Sequence, residues 1–190
     1  MENSDFMKFE RANFYVLSGG SGTGKSAIIE ALRQRGFSCV DEPGRAIVQE
    51  QVRIGGDGTP WQDRIKFREL LLSRSIYLFE QVREDAEPVF FDRGIPEGIG
   101  YCRFLKVPVP EHHRAAARIY RYAPKVFVTP PWKEIFKSDD ERKYTWAEAV
   151  EDYRVNVEAY TECGYQLVEV PRVPVAERVD FILEQVHSTR

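Results

Sequence analysis

The octapeptide GGSGTGKS, Gly19 to Ser26, follows the apolar run Phe14–Leu17 and opens a helix-like stretch. Its glycines allow successive backbone N–H groups to turn inward around a β-phosphate, helped by the dipole of the following helix. In the pattern G-x-x-x-x-G-K-[ST], the lysine reaches between β- and γ-phosphates and the hydroxyl holds Mg²⁺. Gly19, Gly20, Ser21, Gly22, Thr23, Gly24, Lys25 and Ser26 are therefore the expected cradle for a nucleoside triphosphate. Lys25 also carries an expected catalytic role, and Ser26 a metal-binding one.

Two further segments place acids where such a cradle needs them. Val89-Phe90-Phe91-Asp92-Arg93 is an apolar run ending in a carboxylate. Asp92 at a strand tip beside the phosphate loop would orient magnesium-bound water; the other reading is a cap on the helix after Ile95. In Asp41-Glu42-Pro43-Gly44-Arg45, proline and glycine stop a strand, so Glu42 and Arg45 face the same cleft. Glu42 there would take a proton from an attacking hydroxyl, and Arg45 would grip an anion bidentately. A structural Glu–Arg pair across the turn is the alternative. Strand alternation points Asp41 away from Glu42.

Positioning these groups requires a sheet. Five short apolar runs alternate with helical patterns: Phe14–Leu17, Phe37–Val40, Val89–Phe91, Val126–Val128 and Gln166–Val170. Their near-continuous hydrophobicity suits parallel strands buried on both faces. Helices are expected over Lys25–Arg35, closed by Gly36, and over Trp61–Arg83, read as central and well buried. A third begins at the Thr145/Glu148 capping box and presents Trp146, Val150, Tyr153, Val157 and Tyr160 on one side. A last one follows Pro174, with Val175, Val179, Ile182 and Val186 facing inward. This alternation predicts a three-layer α/β/α fold with a five-stranded parallel sheet and a ligand site at its carboxyl edge.

Bulk properties agree. A chain of 190 residues fits one domain spanning residues 1–190. A net charge of −3 argues against non-specific nucleic-acid or anionic-membrane binding. Cys39, Cys102 and Cys163 lie far apart without metal spacing, as expected of packing thiols in a reducing compartment. No apolar run reaches the ~20 residues of a membrane helix, and MENSDFMKFER lacks the apolar core of a signal peptide. A cytoplasmic protein is expected. His112 and His113 read as surface helix residues too isolated for a metal site.

The stretch LLLSRSIYLFEQVREDAEPVFFDRGIPEGIGYC, Leu70 to Cys102, resembles the middle of thymidylate and deoxynucleoside kinases. Over nearly the whole chain, GGSGTGKS, DEPGR, FFDRG, PPW, DDERKYTWAEA and GYQLVEVP resemble the predicted-ATPase group of the AAA class. That group includes the ribosylnicotinamide kinase domain of a bifunctional protein. The resemblance implies a P-loop kinase-like fold using ATP and Mg²⁺. It makes Glu42 the base and Asp92 the magnesium-side acid, with Arg74 and Arg93 on acceptor or phosphoryl oxygens. Glycine after Arg93, and a Glu-Pro without the neighbours found in thymidylate kinases, point away from thymidylate.

Such kinases carry a lid after the fourth strand, here about residues 131–144, whose arginine closes over the triphosphate. Arg142 is the residue implied, with Lys143 second, and a solvated charge run is the other reading. The turn after the fifth strand, beginning at Pro171, would lie against the adenine. Arg172 there would stack on the base or stand exposed. The glycine-rich segment Arg53–Pro60 is either an acceptor flap or an ordinary connection.

The leading expectation is a phosphotransferase moving the γ-phosphoryl of ATP-Mg to a small nucleoside- or cofactor-precursor-like acceptor. The alternative is an ATP-hydrolysing module that regulates a macromolecular partner. Two features favour the kinase. Arg93 stands where an ATPase would carry its water-activating glutamate, and no helical domain of the AAA-oligomer type is expected after the fifth strand. Phosphorylation of a nucleic-acid end would need a basic groove that the acidic composition does not suggest.

Overall fold

Each of the five apolar runs forms a strand, and the five lie side by side, all parallel, in one sheet. The computed structural model describes residues 8–82, 87–136 and 145–188. In chain order the elements are β1 (Phe9–Glu10), β2 (Phe14–Gly19), α1 (Lys25–Gln34), β3 (Ser38–Val40), α2 (Gly44–Ile54), α3 (Arg64–Gln81) and β4 (Val89–Asp92). Then follow α4 (Glu97–Phe104), α5 (Glu111–Ile119), β5 (Tyr120–Arg121), β6 (Lys125–Thr129), α6 (Trp146–Glu162), β7 (Gln166–Glu169) and α7 (Val175–His187). The sheet order is β3-β4-β2-β6-β7, while β1 and β5 pair separately.

Strand alternation distributes the core between two faces. Tyr15 and Leu17 of β2, with Phe90 and Phe127, pack on Ile28, Ile29 and Leu32 of α1 and Val179, Ile182 and Val186 of α7. Phe14 and Val16, with Phe91, Val126 and Val128, pack on Leu72 and Phe79 of α3, Ala116 of α5 and Tyr160 of α6. The result is the expected α/β/α sandwich. Its long helices cover both faces, so the sheet's carboxyl edge is where the loops meet.

Three expectations change. The helix predicted over Trp61–Arg83 begins three residues later, because the Asp63 side chain accepts from the Lys66 amide and caps it. It is also only partly sunk. Phe67, Arg68, Leu72 and Phe79 are buried, whereas Ile65 and Tyr77 stay exposed. The inward face of α6 is broader than the predicted line, of which Tyr153 and Val157 pack against the core as expected. Tyr160 is buried, but Val150 faces out and Ala149, Asp152, Val155, Asn156 and Ala159 face in. The cause is its partner: α6 packs chiefly on α4, where a Cβ at Gly100 would stand 2.2 Å from Asn156 Oδ1. Small and hydrogen-bonded residues suit so close an approach better than large apolar ones. Lastly, His113 is no surface residue; it is buried. Among the described residues no helix is long and apolar enough to cross a membrane.

Candidate active site

Strand register brings the chemistry to one edge. Leu17 of β2 pairs with Asp92 of β4, Gly19 with Thr129 of β6, and Val40 of β3 with Phe91. Parallel neighbours lie about 4.8 Å apart, so the phosphate loop, Asp92 and the start of Asp41-Glu42 emerge side by side. The loop turns through positive φ at Gly19, Gly22 and Gly24. Gly19 also presses on β6, where a Cβ would meet the Thr129 carbonyl at 2.4 Å. Thr23 Oγ1 donates to Gly20 O at 2.8 Å and lies 2.7 Å from Thr129 Oγ1. Arg178 of α7 donates to Thr23 O at 3.3 Å and stacks over Trp132. The cradle is thus braced by β6 and α7.

Lys25 is buried, and its ammonium donates to Gly20 O at 2.6 Å and Gly19 O at 3.3 Å. Burial and then the Arg93 guanidinium lower it to about 8, against the pull of Asp92, Asp152 and Glu97. Ser26 Oγ lies 3.5 Å from Asp92 Oδ2. A hydroxyl and a carboxylate at this spacing are hard oxygen donors that Mg²⁺ can bridge directly or through water, so the pair fits the metal.

Beside the loop is a cavity of about 590 Å³. Its lining combines polar side chains, Ser21, Glu42, Arg45, Arg93 and Asp152 among them, with aromatic ones including Trp61, Phe67 and Tyr101. Glu42 Oε1 accepts from the Gly44 amide at 3.0 Å, which fixes the carboxylate at the head of α2. Asp41 is exposed and paired with Arg33, as alternation predicted. Pro60 and Trp61, at the end of the glycine-rich connection, also reach the cavity.

Arg93 anchors the floor. Its φ of 71° is left-handed, unusual for a side-chain-bearing residue and costing about 1–3 kcal/mol. The guanidinium is held by Glu97 and, at 3.1 Å, by Asp152 Oδ2. Glu97 in turn accepts from Ser18 Oγ at 2.6 Å, and Asp152 from Ser21 Oγ at 3.2 Å and Asn156 at 2.9 Å. Burial pushes Glu97 up, while Arg93 pulls it down. Sequence reasoning missed Glu97 and Asp152. For Glu97 the available signal was a carboxylate four residues after Arg93; for Asp152 the sequence carried none.

Arg74 does not join this group. It pairs with Glu50 of α2 at 2.8 Å, away from the cavity; Arg64 and Arg68, earlier on α3, line it instead. A helix arginine six residues further on faces a different neighbour, which an unaligned resemblance does not reveal. Arg142, Lys143 and the rest of the charged lid run from 137 to 144 lie outside the described residues. Pro171 follows β7 half-buried, and Arg172, exposed, donates to Pro131 O at 3.2 Å, tying that turn to the start of the lid segment.

A protein family described as an AAA domain matches residues 14–178. No curated protein sequence matches significantly. Among solved structures the chain is similar to thymidylate kinase from Candida albicans, at 13% identity and a TM-score of 0.70, covering 94% of this chain and 92% of that one. It is similar to the NadR protein in complex with NR, at 17% identity and 0.69, covering 96% of this chain and 51% of that one. Deoxyadenosine kinase from M. mycoides with bound dATP matches at 13% and 0.63, covering 92% and 99%. At these identities the likeness shows a shared P-loop kinase-like fold.

Proposed function

The chain belongs to the AAA-domain family, and from that premise we propose that it is an ATP-dependent small-molecule kinase. The reading rests on one observation: Ser21 of the phosphate loop, Glu42 and Arg93 border the same cavity. Its volume lies within the about 300–1,000 Å³ of small-molecule sites, which favours an acceptor pocket over a surface that only hydrolyses nucleotide for a macromolecular partner.

In this proposal the amides from Gly19 to Ser26 cradle the β-phosphate, and Lys25 leaves its carbonyl partners to bridge β- and γ-phosphates. Ser26 and Asp92 would hold Mg²⁺, which supplies charge neutralisation on the transferring group. Glu42 takes the proton of the acceptor hydroxyl as it attacks. Arg45 and Arg93 orient the acceptor or the phosphoryl oxygens, and Arg93 is prepositioned by Glu97 and Asp152. Arg142 of the lid is assigned to the triphosphate, and the Pro171 turn to the base. Positioning and preorganised charge provide most of the acceleration.

The test is ADP release with and without a library of nucleosides and hydroxylated cofactor precursors. Release that depends on an acceptor, with a phosphorylated product in the mass spectrum, supports the kinase. Turnover indifferent to every small molecule and raised by a macromolecule would replace it with the regulatory ATPase.

A further inference from the structure

Behind the cavity wall, α3 and α5 meet at a cluster outside the proposed phosphoryl-transfer machinery. His112 Nε2 lies 2.8 Å from Glu69 Oε2, and His113 Nε2 lies 3.2 Å from Glu69 Oε1. The three ligand-type atoms fall within 4.8 Å of one another. We propose that Glu69, His112 and His113 form a binding site for a divalent transition metal of the zinc type.

A tetrahedral ion with bonds of about 2.0–2.1 Å spaces its ligand atoms by about 3.3 Å. The two present contacts run to different oxygens of Glu69 and open by roughly half an ångström or less to meet that spacing, and the widest pair, within 4.8 Å, closes by up to about 1.5 Å through side-chain rotation. The donor set, two imidazoles and one carboxylate, is a zinc-type set with a fourth position left for water. His112 is exposed, so the ion has an entry path from solvent, while His113 is rigidly buried.

The surroundings supply what a ligand carboxylate requires. Arg68 donates to Glu69 Oε1 at 2.9 Å through Nε and 2.6 Å through Nη2. That makes Oε2, the oxygen beside His112, the metal-facing atom toward which His113, now 3.2 Å from Oε1, turns, with Arg68 orienting the carboxylate from behind, as outer partners of metal sites do. Because Arg68 also lines the acceptor cavity, the site sits one residue behind the pocket wall.

Cobalt(II) titration of the chelator-treated full-length protein, with excess magnesium present, tests this. The expected result is one equivalent of Co²⁺ with visible d–d bands and no thiolate charge-transfer band, displaced by Zn²⁺. His112→Ala, at an exposed position that leaves the fold intact, should weaken binding by about a hundredfold or more. Glu69→Gln should do likewise while keeping the side chain's shape. No stoichiometric binding, a thiolate band implicating Cys102, or binding unchanged in His112→Ala would each overturn the site and leave Glu69 as a hydrogen-bonding hub between helices. None of these outcomes bears on kinase turnover, so the site and the proposed function stand or fall separately.

Discussion

The ammonium of Lys25 donates a 2.6 Å hydrogen bond to the carbonyl of Gly20, so the cation that should meet phosphate is folded onto its own loop. Burial lowers its pKa to about 8. Phosphate oxygens favour the charged ammonium, so the pKa rises when nucleotide binds. Between the free and bound values, binding therefore takes up a proton, and affinity falls as pH rises through about 8. Titration calorimetry across pH 6.5–9.5 should find ATP affinity level below about pH 7.5. Above about pH 8 it should drop by up to tenfold per unit, with proton uptake visible in buffers of differing ionisation enthalpy. A flat profile would mean Lys25 stays charged throughout.

Glu42→Gln should remove the proton acceptor without altering the loop, since Gln retains the oxygen that accepts from the Gly44 amide. Acceptor phosphorylation should fall by about 10²–10⁴-fold while ATP affinity stays within about twofold. Transfer at the native rate would take Glu42 out of the mechanism.

Glu97 bonds Arg93, Ser18 and Tyr160 in the buried floor. Glu97→Gln removes the negative charge and leaves Asp152 as the direct ion-pair partner of Arg93, with Glu42 acting at longer range. Breaking one arm of a buried ion pair should cost about 3–5 kcal/mol. Thermal unfolding should then fall by roughly 6–20 °C. Ser18→Ala, which deletes one neutral donor, should cost only about 1 kcal/mol.

The glycine loop, the capping box and the five strands were legible because each is local: spacing, cap chemistry and apolar runs fix them within a few residues. Asp92 and Glu42 were legible because a strand tip defines which edge they occupy. What could not be read was the partner of each inward polar group. Arg74 and Arg68 lie two turns apart on α3, and nothing local says that one meets Glu50 and the other the cavity. Asp152 and Asn156 are turned inward by the packing of α6 on α4, a contact no local pattern states. His113 looked exposed because a polar residue near a helix start usually is, yet Gly98 leaves the gap it fills, with a Cβ there meeting Nδ1 at 2.6 Å.

Gly20 shows the same dependence on a distant partner. A Cβ there would meet the Ala149 carbonyl of α6 at 2.4 Å, so this glycine serves helix packing as well as the phosphate cradle. Gly20→Ala should push α6 from the loop and stretch the Ser21–Asp152 bond, costing about 2 kcal/mol. Thermal unfolding should drop by roughly 4–8 °C, and ATP affinity should fall with it. An unchanged unfolding midpoint would mean that α6 gives way freely.

Two of the three tryptophans, Trp61 and Trp132, separate the two halves of the proposed site. Trp61 borders the cavity, whereas Trp132 sits beneath Arg178, which holds the phosphate loop through Thr23. Fluorescence should therefore change in two distinguishable steps. An acceptor with a flat ring would stack on the exposed indole of Trp61 and quench it, and nucleotide would perturb Trp132. In Trp61→Phe the acceptor-dependent change should vanish while the ATP-dependent one persists. Trp132→Phe should show the reverse. Trp61→Ala removes the indole surface as well, and about 1–3 kcal/mol of stacking corresponds to a rise in acceptor KM of about 5- to 150-fold with ATP affinity unchanged. An acceptor signal that survives in Trp61→Phe and disappears in Trp132→Phe would instead put the acceptor at the nucleotide end. The two ligands would then compete for one place, and in-line transfer between them would be impossible.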